Sequence, residues 1–244
     1  MILVPTTKSL SMQNPSVAVA WSEALADRSF KRQLVWTVIV LLAALTALSH
    51  FLEFVEDRSG VTPVDPFLQR ISPIDLTWLT FGVIYLGLVV GIATLVRQPR
   101  VLLVAIQSYV VMVGVRITMM YVMPLDPPGG LIPLKDPLVQ LFGSGRTPTK
   151  DLFFSGHTST LFLLCLSVQS RKLKALFLLC TVCVGVAVIL QHVHYTVDVL
   201  VAPFVSYGAL RFVQRLHRGA TLRIIRRDRA EILPATPSYH DGKH

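Results

Sequence analysis

Six apolar runs, at about 34–52, 76–96, 101–123, 153–169, 173–191 and 195–214, dominate the chain. Each is close to the ~20 residues that a helix needs to cross a hydrocarbon core of roughly 30 Å. Backbone inside lipid must satisfy its own hydrogen bonds, so runs of this kind are expected to be helical. Composition agrees, with 52% hydrophobic residues, only 15% charged and a mean hydropathy of +0.59. That balance lies outside the range of soluble globular domains. The expected fold class is all-α: a polytopic membrane protein with about six transmembrane helices in one bundle. The connections are short, so residues 34–214 are expected to form one catalytic domain, with 1–33 before it and a basic tail, 215–244, after it. The first thirty or so residues are mixed and polar and do not resemble a secretory signal. Within them, 17–28 has weak amphipathicity, with Val17, Trp21, Ala24 and Leu25 on one side, and is expected to lie in the membrane interface. Cys165, Cys180 and Cys183 all fall in apolar runs, where a thiol behaves as a small hydrophobe.

The formal charge of +9 is distributed by connection. Lys8, Arg28, Lys31 and Arg32 precede the first run; Arg97 and Arg100 follow the second; Arg171, Lys172 and Lys174 follow the fourth. Arg211, Arg215, Arg218, Arg223, Arg226, Arg227, Arg229 and Lys243 lie at and beyond the end of the sixth. The alternate connections mix Arg58, Arg70, Lys135, Arg146 and Lys150 with Glu53, Glu56, Asp57, Asp65, Asp75, Asp126, Asp136 and Asp151. The positive-inside rule then places both termini in the cytoplasm. Basic charge here reports topology, and no nucleic-acid partner is expected; contact of the tail with anionic headgroups is as compatible as a solvated tail.

With that topology the third run goes outward and carries Arg116 in its outer half, while the fourth and sixth go inward from outer ends that carry His157, His194 and Asp198. Ionisable groups at membrane depth are costly and mark functional sites. Here all of them converge on one outer face, and phosphoryl transfer is the chemistry they suit. His194 and Asp198 are i and i+4, so on a helix the carboxylate can accept from one imidazole nitrogen and orient the other. Ser155 and Gly156 open the fourth helix, where free N–H groups and the helix dipole favour an anion. Arg116 offers a planar fork to phosphate oxygens.

Other readings are weaker. On a helix His192 would face about 160° away from His194, which suits packing better than chemistry, and His50 reads as an interfacial residue. His192 and His194 at i and i+2 cannot chelate a metal from one helix face, so no metal is expected. Asp198 is the one acid within a run, which leaves no carboxylate pair for glycoside hydrolysis, and Ser155 precedes His157 too closely for a Ser-His-Asp triad. A transporter or proton relay would need polar residues down several runs, yet 76–96 and 173–191 are almost free of ionisable groups.

Three segments carry a resemblance. They are Arg116-Ile117-Thr118-Met119-Met120-Tyr121-Val122 with Pro124 beyond it, Asp151-Leu152-Phe153-Phe154-Ser155-Gly156-His157-Thr158, and His192-Val193-His194-Tyr195-Thr196-Val197-Asp198-Val199. In this order and spacing the chain resembles the sphingomyelin synthase family, the ceramide phosphotransferase branch of the type 2 phosphatidic acid phosphatase superfamily. The resemblance implies transfer of a phospho-headgroup from a phospholipid donor to ceramide or a diacylglycerol-like lipid through a phosphohistidine. His194 would be the nucleophile, Asp198 its orienting partner, His157 the acid and then the base, and Arg116 with Ser155 and Gly156 the phosphate contacts. Asp151, His192 and Tyr195 would support them, and no metal or organic cofactor is implied.

The chain has no Arg-Pro dipeptide, so the signature of the lipid phosphatases is missing, which favours transfer over the alternative of a lipid phosphatase or phospholipase C. The family's Cys-Gly pair before the aspartate is Thr149-Lys150 here, and no sterile-alpha-motif domain precedes the runs. The active site is expected on the non-cytoplasmic side of the plasma (inner) membrane in a bacterium, or of the Golgi or plasma membrane in a eukaryote. The Pro- and Gly-rich connection from Pro124 to Lys150 is long for a passive turn; a lid that folds over the outer mouth of the site and helps choose the headgroup is expected, with a plain surface loop as an equal alternative.

Overall fold

The structure, a computed structural model, describes residues 16–135 and 147–232. Among them are seven α-helices and one short 3-10 helix, Leu68–Arg70, with no strand. The helices are α1 (Val17–Ala26), α2 (Arg28–Glu56), α3 (Thr77–Leu95), α4 (Pro99–Val122), α5 (Gly156–Ser167), α6 (Arg171–Leu190) and α7 (Thr196–Ile232). Five of these, α2, α3, α4, α6 and the Thr196–Gly219 part of α7, are long and apolar enough to cross a membrane, which marks an integral membrane protein.

The fourth apolar run departs from expectation, because only twelve residues of it, Gly156–Ser167, are helical. Twelve residues span about 18 Å, too short to cross alone. The reason lies at its start. Gly156 packs against the Arg116 guanidinium, and Arg116 sits six residues before the end of α4, about 9 Å below it. The chain therefore dips to that depth as non-helical backbone before α5 begins. Such backbone is tolerated at membrane depth only when protein encloses it. Leu152, Phe154 and Ser155 are indeed buried.

α5 is the central helix, packed on α6 and α7 and touching α3 and α4. Leu161 and Leu164 of α5 press onto α3 where Gly87 and Gly91 leave room; an added Cβ would stand 2.7 and 2.8 Å from those leucines. Small residues at crossings are how helices approach closely in lipid. α2 is peripheral and leans mainly on α4.

The helix starts are capped as their sequences allow. Asp27 Oδ1 accepts from Ser29 and Phe30 N–H at the start of α2, and its Oδ2 meets Arg100 at 3.0 Å. The Ser29 hydroxyl and Arg100 together hold this carboxyl down at about 2. The segment expected to lie in the interface is α1, and it docks onto the bundle: Ala24 is buried, and Trp21 Nε1 donates to Val96 O at 2.8 Å. The basic tail does not begin with a break at 215, since α7 continues through its Arg- and Leu-containing sequence to Ile232. The expected 1–33 segment and the tail run beyond the described residues at either end.

At the opposite end of the bundle one side chain ties three elements together. Gln191, fully buried after α6, accepts from Leu76 N–H at 3.3 Å and donates to Thr77 Oγ1 at 2.8 Å and Ile132 O at 3.3 Å. Gln191→Leu keeps the bulk and strands these partners, so unfolding free energy is expected to drop by about 2–3 kcal/mol. A thermal melt should register this as a Tm lower by about 5–10 °C.

Candidate functional site

Both motif turns contain backbone that ordinary residues avoid. Phe153 has φ 109° and His192 φ 57°, the two non-glycine residues at positive φ among those described. Each such residue costs of order 1–3 kcal/mol and persists only when its surroundings hold it. At His192 the hold is visible, because its Nδ1 lies 2.8 Å from Gly129 O. A carbonyl only accepts, so Nδ1 carries the proton and the buried Nε2, which has no hydrogen-bond partner, presents a lone pair. His192 is therefore not on a helix facing away from His194; it forms the reversal between α6 and α7.

The relation between His194 and Asp198 also differs from the expected helical i, i+4 pair. Tyr195 is the residue before α7, and its N–H donates to Asp198 Oδ2 at 3.1 Å, the reach-back half of a capping box. The same oxygen lies 3.3 Å from His194 Nδ1. One carboxylate thus caps the helix and fixes the imidazole: Nδ1 carries the proton that the carboxylate accepts, which in the neutral tautomer puts the lone pair on Nε2. The two side chains are 3% and 1% exposed, so the pair is shielded from water. Asp65, a connection acid that no motif marks, completes this helix start by accepting Thr196 N–H at 2.7 Å, along with Phe67 and Leu68 N–H. Burial raises its carboxyl, but these donors outweigh that and leave it below the usual carboxylate range.

Arg116 and Asp151 meet in two parallel bonds, Nε to Oδ1 at 2.7 Å and Nη2 to Oδ2 at 2.6 Å. The expected phosphate fork is therefore engaged by Asp151, and the guanidinium also stands 5.8 Å from the Phe154 ring centroid. Nη1 is turned toward Gly156, where an added Cβ would stand 1.8 Å from it. Ser155 opens α5 as its N-cap: its hydroxyl is buried and accepts from Thr158 N–H at 3.3 Å and Thr158 Oγ1 at 2.9 Å. That leaves backbone N–H groups, rather than this hydroxyl, for an anion at the start of α5.

Arg116, Asp151, Gly156, His157 and Thr160 form the polar end of a half-open cavity of about 490 Å³ between α2, α3, α4 and α5. Its remaining walls are mostly apolar and run down α3 from Phe81 to Leu95. The Phe81 and His157 rings meet nearly at right angles, with 5.9 Å between centroids. His194 and Asp198 do not line this cavity. They are joined to its rim by Ser155 N–H, which donates to Asp198 O at 3.1 Å. Among the described residues no three His, Cys, Asp or Glu side chains come together as metal ligands.

The 124–150 connection is described up to 135 and from 147; its middle, and with it part of the expected lid, lies outside the described residues. The described part rests on the α6–α7 reversal. Tyr195 OH donates to Asp126 O at 2.8 Å, and Ile132 N–H donates to Gln191 O at 3.1 Å. Thr149 and Lys150, where the resembling family has Cys-Gly, give their N–H groups to Glu56 at 3.0 and 3.2 Å. The Lys150 ammonium, 3.0 Å from Asp126, holds that carboxyl below its ordinary range. Asp65, Asp126 and Gln191 carry no sign in the sequence that they build the site, because the contacts that tie them to it, with Thr196, Tyr195 and Leu76, span 131, 69 and 115 residues of chain.

Neither the comparison with curated proteins nor that with solved structures gives a match. Residues 150–215 are similar to the family described as PAP2 superfamily C-terminal, a match that includes Asp151, His157, His194 and Asp198 and stops short of Arg116.

Proposed function

We propose that this protein transfers a phospho-headgroup between membrane lipids through a phosphohistidine on His194. The observation that carries the reading is the buried Asp198 carboxylate, which fixes His194 Nδ1 and leaves Nε2 as a nucleophile at the start of a membrane helix. The similarity of 150–215 to the PAP2 superfamily supports lipid phosphoryl-transfer chemistry in general. The apolar cavity beside His157 supports a lipid as substrate, since its walls suit an acyl chain and its polar end suits a headgroup.

In the proposed cycle Nε2 of His194 attacks the donor phosphorus. A P–N bond forms as the P–O bond to diacylglycerol breaks, and His157 gives a proton to the departing oxygen. His157 then takes the proton of a ceramide-like hydroxyl, whose oxygen attacks phosphorus and returns the electron pair to Nε2. Arg116 stabilises charge on the phosphoryl oxygens, which requires Asp151 to yield part of its hold. His194 is 2% exposed, so the headgroup reaches it only after a neighbouring turn shifts. The basic residues at the other end of the bundle support placing this site on the non-cytoplasmic face, with both termini cytoplasmic.

The test is lipid mass spectrometry on purified protein supplied with phospholipid, with and without ceramide. Headgroup release that depends on ceramide, with a phosphosphingolipid appearing, is the expected result. Release at the same rate without ceramide would make water the acceptor and the protein a lipid phosphatase or phospholipase C. No turnover of any phospholipid, with acceptor present, would overturn the reading.

A further inference from the structure

The end of the bundle away from His194 carries a second polar feature that the proposed reaction does not use. Gln107 lies eight residues into α4, about 12 Å along the helix, in a segment that is otherwise largely apolar. Its Nε2 donates to Thr37 Oγ1 of α2 at 2.9 Å, and its Oε1 meets His217 Nε2 of α7 at 2.6 Å. Two surface grooves flank these hydrogen bonds. One, of about 300 Å³, lies between α2 and α4 beside Arg32 and Trp36; the other, of about 330 Å³, lies between α4 and α7 beside Val213 and His217. Gln33 and Gln107 line both grooves.

Polar side chains that face the hydrocarbon are costly unless something polar reaches them. The amide of Gln107 has a second N–H beyond the one given to Thr37, and Gln33 brings another amide to the same place. Charge at this end is mainly basic, with Glu23 of α1 and Asp27 as the nearby acids. Arg32 lines the first groove, Arg28 and Lys31 share its end of α2, and Arg215 and Arg218, both exposed, neighbour His217 along α7. α4 has no acid, α2 has none before Glu53, and the nearby Asp27 is already paired with Arg100. Trp36 is 61% exposed at the rim, the position an interfacial aromatic takes at headgroup level.

We propose that this flank binds an anionic phospholipid of the leaflet opposite the candidate active site. Its phosphate lies on Arg32, its ester oxygens lie toward Gln33 and Gln107, and its chains lie along Val40 and Val110. The site is at the other end of the bundle from His194 and does not depend on the reaction proposed above.

The test uses the full chain in phosphatidylcholine vesicles carrying, at equal mole fraction, phosphatidylglycerol or phosphatidylcholine with brominated chains, which quench nearby tryptophan. Subtracting the Trp36→Phe protein isolates the Trp36 signal. Brominated phosphatidylglycerol is expected to quench Trp36 with about five-fold higher apparent affinity, the effect of one well-placed cation. Arg32→Ala, at an exposed position that leaves the fold intact, should bring that ratio close to one, and Arg171→Ala, at the start of α6, should leave it unchanged. Equal quenching by the two lipids overturns the proposal and means ordinary annular lipid. A preference that survives Arg32→Ala, or that Arg171→Ala removes equally, also overturns it and means diffuse surface charge.

Discussion

His194→Ala is expected to lower headgroup transfer by about 10⁴-fold or more, because it removes the proposed bond-forming atom. Asp198 separates the chemical part of this loss from the structural part. Its Oδ2 serves both Tyr195 N–H and His194 Nδ1, so Asp198→Asn can keep an oxygen in place for both contacts while losing the negative charge. The helix cap then survives, and the Tm should stay within a few degrees of the parent. Transfer should nevertheless fall by about 10² to 10⁴-fold, since a neutral amide neither enforces the tautomer nor stabilises a positive imidazole. Asp198→Ala should add a stability loss of about 1 kcal/mol as the cap disappears. Protein quenched after mixing with donor labelled in the headgroup phosphate should carry label on His194 in the parent, slowly in Asp198→Asn, and none in His194→Ala. Transfer by His194→Ala within ten-fold of the parent would remove His194 from the mechanism.

Much of this arrangement is legible in the amino-acid sequence, and the parts that are not share a physical cause. The solvent dictates α2, α3, α4, α6 and α7: a run of about 20 apolar residues has few alternatives to a spanning helix. The 153–169 run satisfies the same rule, yet only Gly156–Ser167 is helical, because its start is fixed by Arg116 on another helix rather than by its own hydropathy. The i, i+4 spacing of His194 and Asp198 correctly announces a contact, but through a capping turn that precedes the helix. Spacing alone cannot tell a helical pair from a cap when the pair straddles a helix start. The engagement of Arg116 by Asp151, thirty-five residues on, and of the Ser155 hydroxyl by Thr158 decides which donors remain for an anion. Those are questions of which partner arrives first in three dimensions, and residue type is silent on them.

Gly156→Ala turns that dependence into a measurement. The added methyl would stand 1.8 Å from Arg116 Nη1 and 2.6 Å from Cζ, so the guanidinium must leave. Arg116 is the flexible partner and can swing away at a modest cost in stability, about 1–3 kcal/mol. Function should suffer far more, with transfer falling by about 10² to 10³-fold, the usual effect of removing one donor from a developing oxyanion. Arg116→Ala should produce a loss of the same size, and the double variant should be no worse than either single one, since both remove the same group. Asp151→Ala then separates two roles for the arginine. If Arg116 acts only by holding Asp151 and the turn before α5, losing either partner should slow transfer equally. If the guanidinium contacts the phosphoryl oxygens, Asp151→Ala frees its fork, transfer falls less than in Arg116→Ala by at least about ten-fold, and the donor KM drops. Equal losses in the two variants would reduce Arg116 to a structural partner of Asp151 and leave charge stabilisation to the N–H groups that open α5.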